Sequence, residues 1–172
     1  MPDSRPSFLV SCFAPRGLFG LTALASLGLI LFALYLQHFL GEHPCPLCIT
    51  QRVFVIAVGV LGLLAFLHNP GKTGRRVWAV LQLLAALGGG GVAARHVWIQ
   101  HLPEDQVPAC GPGLEYMFAN FPFRQALDLL FMGDGNCAEV GWTFLSLSIP
   151  AWTLACFIGF TGVACWQFFR KA

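Results

Sequence analysis

Charge is what this chain has least of. Lys, Arg, Asp and Glu make up 10% of its 172 residues, while 56% are hydrophobic. Soluble domains carry roughly 25% charged residues, so the shortage excludes an ordinary water-soluble globule and leaves a membrane protein. Charge is also missing locally. Gly17–Leu40 and Val140–Phe169 have none, Ile49–Leu67 has only Arg52, and Val77–Ile99 has only Arg95. A membrane-spanning helix needs about 20 apolar residues, so four stretches qualify. No internal repeat or low-complexity tract is present.

A signal peptide is the competing account of the first stretch. Arg5 and Arg16 resemble its charged region, and Ala23-Leu24-Ala25 resembles a cleavage site. The apolar run continues well beyond that site, whereas a signal core spans about 7–15 residues and stops. The expectation is an uncleaved first helix.

The few basic residues set the topology. Arg5 and Arg16 precede the first stretch, Lys72, Arg75 and Arg76 join the second to the third, and Arg170-Lys171 follow the fourth. The positive-inside rule puts these segments, and so both termini, in the cytoplasm. The short connection Gly41–Pro44 and the long one at about 100–141 then face outward. The long connection carries Glu104, Asp105, Glu115, Asp128, Asp134 and Glu139 against a single Arg124. The spacing predicts an all-α membrane protein, a four-helix transmembrane bundle of one domain over residues 1–172. Its helices are expected at about 17–40, 49–67, 77–99 and 142–169.

That topology sorts the seven cysteines. Cys45, Cys48, Cys110 and Cys137 fall on the outer side, where disulfides persist if the compartment is oxidising. Cys12 is expected as a cytoplasmic free thiol, and Cys156 and Cys165 as small apolar residues of the fourth helix. Cys45-Pro46-Leu47-Cys48 opens the second helix, where backbone N–H groups and the helix dipole favour a thiolate. The thiolate is the attacking species in disulfide exchange. A c-type haem site would need His after the second cysteine, and Ile49 stands there. A zinc site would need two further ligands. Cys110 and Cys137 could serve formally, but an oxidising exterior favours disulfides, so no metal is assigned. A purely structural staple remains the other reading of the motif.

Arg52 lies four residues after Cys48, on the same helix face. It is a candidate to stabilise a Cys48 thiolate and to bind a quinone carbonyl; the bland alternative is an arginine snorkelling to the headgroups. His96, near the outer end of the third helix, could donate a hydrogen bond or proton to a reduced quinone, or be an interfacial histidine with no task. Trp98, Trp142 and Trp152 fit an interfacial aromatic belt. Gly88–Gly91 suggests close helix packing, or a smooth wall beside a flat ligand.

In the long loop, Leu114, Met117, Phe118 and Phe121 recur at helical spacing, and Phe123, Leu127, Leu130 and Phe131 follow Pro122. Two short helices lying on the membrane surface are expected, with packing on the bundle as the alternative. Gly111-Pro112-Gly113 and Gly133-Asp134-Gly135-Asn136 place turn signals beside Cys110 and Cys137.

The run Cys45-Pro46-Leu47-Cys48-Ile49-Thr50-Gln51-Arg52 resembles the signature of the disulfide bond formation protein B family, bacterial inner-membrane thiol oxidases. Gly135-Asn136-Cys137-Ala138-Glu139, followed by Trp142, Phe144-Leu145, Pro150 and Trp152, resembles that family's second outer loop and fourth-helix start. His96 to Pro103 resembles its third-helix end. Gln51 stands where some relatives carry an acidic residue, and Asn136 where Asp is common. The resemblance implies pairs Cys110–Cys137 and Cys45–Cys48. It also implies a periplasmic thioredoxin-fold disulfide oxidase (disulfide bond formation protein A type) as partner, attacking Cys110, and a transient Cys45–Cys137 link. The expected cofactor is a membrane quinone, ubiquinone or menaquinone, reduced from Cys48 beside Arg52 and His96. Lipid is the other expected partner, and nucleic acid is not. Rival readings are a scaffold with two inert disulfides, a haem protein using His38, His43, His96 and His101, and a vitamin K epoxide reductase-like protein. The last carries its active CxxC in a later helix.

Overall fold

The computed structural model describes residues 15–170 apart from 112–115 and 117–119. Arg5, Cys12, Leu114, Met117, Phe118 and Lys171 lie outside the described residues. Four helices are long and apolar enough to cross a membrane: α1 (Pro15–Phe39), α2 (Pro46–His68), α3 (Lys72–Ile99) and α5 (Ile149–Phe169). The shorter α4 (Phe123–Met132) belongs to the long connection.

Local signals set the helix ends. Cys45 caps α2, its sulfur accepting from the Cys48 N–H at 3.3 Å, and Pro46 takes the first turn, where its missing N–H costs nothing. Asn69 ends α2 in the left-handed region, φ 45°, a conformation asparagine tolerates. The fourth spanning helix begins at Ile149 rather than near residue 142. Residues 143–148 instead form a two-stranded hairpin, β1 (Thr143–Phe144) and β2 (Leu147–Ser148), turned by Leu145 and Ser146 at φ 50° and 64°.

The bundle runs α1, α2, α3, α5 by extensive neighbour packing, whereas α1 and α5 barely meet. One buried cluster joins Val55 and Val58 of α2, Ala86 and Ala93 of α3, and Phe157 and Phe160 of α5. Gly89 permits this approach, since a Cβ there would lie 2.3 Å from the Phe157 ring. The glycine run is thus a packing surface for Phe54 and Phe157. A buried glutamine supplies polar glue, because lipid drives helix association only weakly. Gln82 Nε2 donates to Thr22 Oγ1 at 3.0 Å and to the Val58 carbonyl at 3.2 Å, tying three helices. Leucines 21, 24, 63, 64, 84 and 87 remain exposed on the outside, as a lipid-facing surface requires.

The loop helix docks on the bundle. Thr50 Oγ1 donates to the Leu130 carbonyl at 3.2 Å, Arg95 Nε donates to the Met132 carbonyl at 2.9 Å, and Leu130 itself is buried. Gly133 follows at φ 75°, where a Cβ would meet Leu47 at 2.7 Å. Glycine serves there because both the backbone angle and the space exclude other residues. The turn sends the next segment down onto the start of α2.

Candidate redox site

The end of the bundle where α2 begins gathers Cys45, Leu47, Val92, Ile99 and Cys137 into one buried cluster. The Cys45 and Cys48 sulfurs stand 3.0 Å apart, because two intervening residues in the first helical turn bring both to one side. Cys137 arrives on a single 3-10 turn, Gly135–Cys137, and is fully buried. All six described cysteines are free thiols.

Cys137 and Cys45 lie side by side in this cluster, and their thiols are shifted in opposite directions. The neighbouring Cys45 thiol lowers Cys137 to about 7, helped by backbone N–H groups of Asp134 and Leu47 and opposed by burial. Cys45 is pushed up by its neighbours Cys137 and Cys48 and by burial. Cys137 is therefore the member that ionises, and Cys45 keeps the proton.

Cys110 is exposed. Its segment runs beside the Cys137 turn, with Gly135 N–H bonded to the Ala109 carbonyl at 3.2 Å. A Cβ on Gly135 would lie 3.0 Å from the Cys110 sulfur. The expected site cysteines are thus assembled in series, from water at Cys110 to the interior at Cys137, Cys45 and Cys48.

His96 is 2% exposed and belongs to this group. Its Nε2 is 3.7 Å from the Cys45 sulfur, and its Nδ1 is 2.9 Å from Gln51 Nε2. An amide nitrogen only donates, so Nδ1 accepts and the ring proton sits on Nε2, facing the cysteines. Gln51, 4% exposed, was noted in the sequence only as a departure from the family pattern and not as a site residue. Its only signal was position: it lies three residues after Cys48, one helical turn on.

Arg52 faces differently from the expected course. Nη1 donates to Gln37 Oε1 at 2.6 Å and Nη2 to the Ala33 carbonyl at 3.3 Å, so the guanidinium is engaged by α1. It still shares a cavity with Cys48. That cavity, about 400 Å³, lies where α1 and α5 fail to meet, and Cys48, Gln51, Arg52 and His96 line its polar side. Trp142, Phe144 and Trp152 also line it, so Trp142 and Trp152 have a place beyond a lipid belt. The hairpin presents them: Trp142 and Phe144 stack at 5.9 Å and 4°, and Trp152 Nε1 donates to the Phe144 carbonyl. Glu42 Oε1 accepts from the Trp142 N–H at 3.1 Å, closing the cavity rim.

Cys45, Cys48 and His96 also offer three metal-type ligand atoms within 4.8 Å of one another. Two thiolates on one tetrahedral zinc, with bonds of about 2.3 Å, would stand roughly 3.8 Å apart. The observed 3.0 Å is shorter than that separation.

Fold and site define a multi-pass membrane protein with a buried thiol cluster, of the disulfide-forming oxidoreductase class. The chain belongs to the disulfide bond formation protein DsbB family, whose model matches residues 15–167. It is 60% identical over 145 residues to disulfide bond formation protein B of Saccharophagus degradans, covering 84% of this chain and 87% of that one. It is 51% identical to the Hahella chejuensis protein of the same name, over 91% and 94% of the two chains. Disulfide bond formation protein B 1 of Pseudomonas aeruginosa is 46% identical, over 92% and 98%.

Proposed function

We propose that this protein reoxidises a periplasmic thioredoxin-fold disulfide oxidase and passes the electrons through its two cysteine pairs to a membrane quinone. In this reading residues 1–172 act as one domain in the bacterial inner membrane. Both termini are cytoplasmic, and the cysteine-bearing loops are periplasmic. The observation that carries it is the position of Cys45, packed in one buried cluster with Cys137 and 3.0 Å from Cys48. An inert scaffold would need no such junction.

The exchange balances as follows. A partner thiolate attacks Cys110 of a Cys110–Cys137 disulfide, and Cys137 leaves as a thiolate. The partner's second thiol then closes the partner's own disulfide and frees Cys110. Cys137 attacks Cys45 of a Cys45–Cys48 disulfide, and Cys48 leaves as a thiolate. Cys110 attacks Cys137 in the Cys45–Cys137 link, which restores the loop disulfide and leaves Cys45 and Cys48 reduced. Two electrons have moved inward.

The cavity residues fit a quinone: an aromatic wall for a flat ring, a guanidinium for its oxygen, and a thiol at the edge. A bound quinone supplies the acceptor for two electrons and two protons. Arg52 holds positive charge in the cavity, fixed by Gln37 and Ala33. His96 holds a proton at Nε2 beside the sulfurs, kept there by Gln51. Trp142 and Phe144 exclude water from the rim.

The test is anaerobic quinone consumption by purified protein supplied with a reduced thioredoxin-fold dithiol, wild type beside Cys48→Ala. One quinone consumed per dithiol oxidised, lost in the variant, is the expected result. No consumption by folded wild type with a competent partner would leave inert disulfides as the function.

A further inference from the structure

Three ligand-type atoms converge at the start of α2, brought there by two different helices. The Cys45 and Cys48 sulfurs and His96 Nε2 lie within 4.8 Å of one another. A tetrahedral zinc, with bonds of about 2.3 Å to sulfur and about 2.1 Å to nitrogen, sets a sulfur–nitrogen edge of about 3.6 Å. Cys45 Sγ and His96 Nε2 already stand 3.7 Å apart. The sulfur–sulfur edge is the one that has to open, from 3.0 Å to about 3.8 Å. Cys48 has the room, because it is half-buried and borders the cavity of about 400 Å³. Cys137, fully buried in the same cluster as Cys45, is the fourth ligand at hand.

The surroundings suit a cation. A ligating histidine has its second ring nitrogen fixed by a neighbour, and Gln51 Nε2 stands 2.9 Å from His96 Nδ1. A half-turn of that amide exchanges donor for acceptor within the same volume. Oε1 then receives an Nδ1 proton, and Nε2 turns a lone pair towards the sulfurs. Three thiolates and a neutral imidazole on a divalent cation carry one net negative charge. Arg52 lines the same cavity and offsets that charge, more strongly than it would in bulk water. Glu42 and Glu139 also line the cavity, so carboxylates flank the way in.

We propose that the reduced protein binds a thiophilic divalent cation such as Zn(II) through Cys45, Cys48, Cys137 and His96. Binding displaces the thiol protons, moves the ring proton from Nε2 to Nδ1 and changes no oxidation state. Disulfides have no thiolate to offer, so the site exists only while both pairs are open. A bound cation holds the thiols reduced by mass action, against the direction of the relay proposed above. The site needs only free thiols, so it stands or falls apart from the quinone reading.

The test uses full-length protein in detergent, reduced with a phosphine, desalted under argon and titrated with Co(II) alone. Tetrahedral thiolate ligation gives visible d–d bands and an ultraviolet sulfur-to-cobalt band. One Co(II) per chain, displaced by Zn(II), is expected from reduced protein, and none from the same protein oxidised. Cys45→Ser, Cys48→Ser and Cys137→Ser should each lose one sulfur's share of the ultraviolet band, and His96→Ala should shift the visible bands. Gln51→Leu should weaken binding about ten- to a hundredfold with the bands unchanged, as loss of an outer partner does. Cys110→Ser and Cys156→Ser, outside the ligand set, should bind as wild type does. Circular dichroism confirms that each variant is folded. No tetrahedral band from reduced wild type overturns the site, and so does an equal band from oxidised protein, which marks adventitious binding. Bands unchanged in any of the four ligand variants overturn the assigned set. Quinone consumption by metal-free protein tests the earlier reading separately.

Discussion

Cys137 is the residue whose ionisation the site controls most visibly. Its thiol lies at about 7 against an ordinary 9.0, so the thiolate appears as pH rises through 7 and disappears below it. In reduced Cys110→Ser protein, the ultraviolet thiolate absorbance that is lost on adding Cys137→Ser should climb with a midpoint near 7. Cys45→Ala removes the neighbouring thiol and should move that midpoint upward. A midpoint that stays put would remove Cys45 as the cause. In the proposed reading Arg52→Ala removes one charged hydrogen bond to the quinone oxygen, worth about 1.5–3 kcal/mol. A rise of ten- to a hundredfold in the KM for quinone is expected, with Arg52→Lys intermediate because it keeps the charge and loses the fork. The cysteines were legible because a CxxC motif at a helix start has few uses. Arg52 was legible as a site residue but not in its contacts, since helical spacing gives a face and not the neighbour on it. Gln51 gained meaning only when α3 placed His96 against it.

The helices were legible as elements because bilayer thickness sets their length. Their packing partners were not. Gly88–Gly91 shows the difference: composition suggested closeness, and only the fold identifies Phe54 and Phe157 as what comes close. Gly89→Ala should destabilise the protein by about 1–3 kcal/mol through overpacking, whereas at Gly91 an added Cβ meets nothing within 4 Å. Gly91→Ala should be neutral or slightly stabilising in thermal unfolding in detergent, given helix propensity. Equal effects at both positions would remove packing as the explanation. The start of α5 was misjudged because Leu145 and Ser146 carry no turn signature. Hairpin turns with positive φ usually use Asn or Gly, and here Trp152 Nε1, donating to the Phe144 carbonyl, ties the hairpin to α5 instead.

At the scale of the whole molecule, the order α1, α2, α3, α5 leaves one open seam, and the seam holds the cavity. The orientation proposed from the basic residues can be checked directly. In spheroplasts of cells making the reduced protein, an impermeant maleimide should label Cys110. It should not reach a cysteine placed at Gly71 until the membrane is broken. Labelling of both from outside would reverse the topology. The burial gradient has a further consequence. Of the four cysteines at this end only Cys110 is fully exposed; Cys48 is half-buried in the cavity, Cys137 is at 0% and Cys45 at 8%. Small thiols dissolved in the surrounding water therefore meet the Cys110 sulfur first. In the proposed relay, any that react there still have to displace a shielded neighbour before an electron moves on. A ligand filling the cavity would cover Cys48 as well, so a leak of current from adventitious reductants would be limited by access, whatever the driving force.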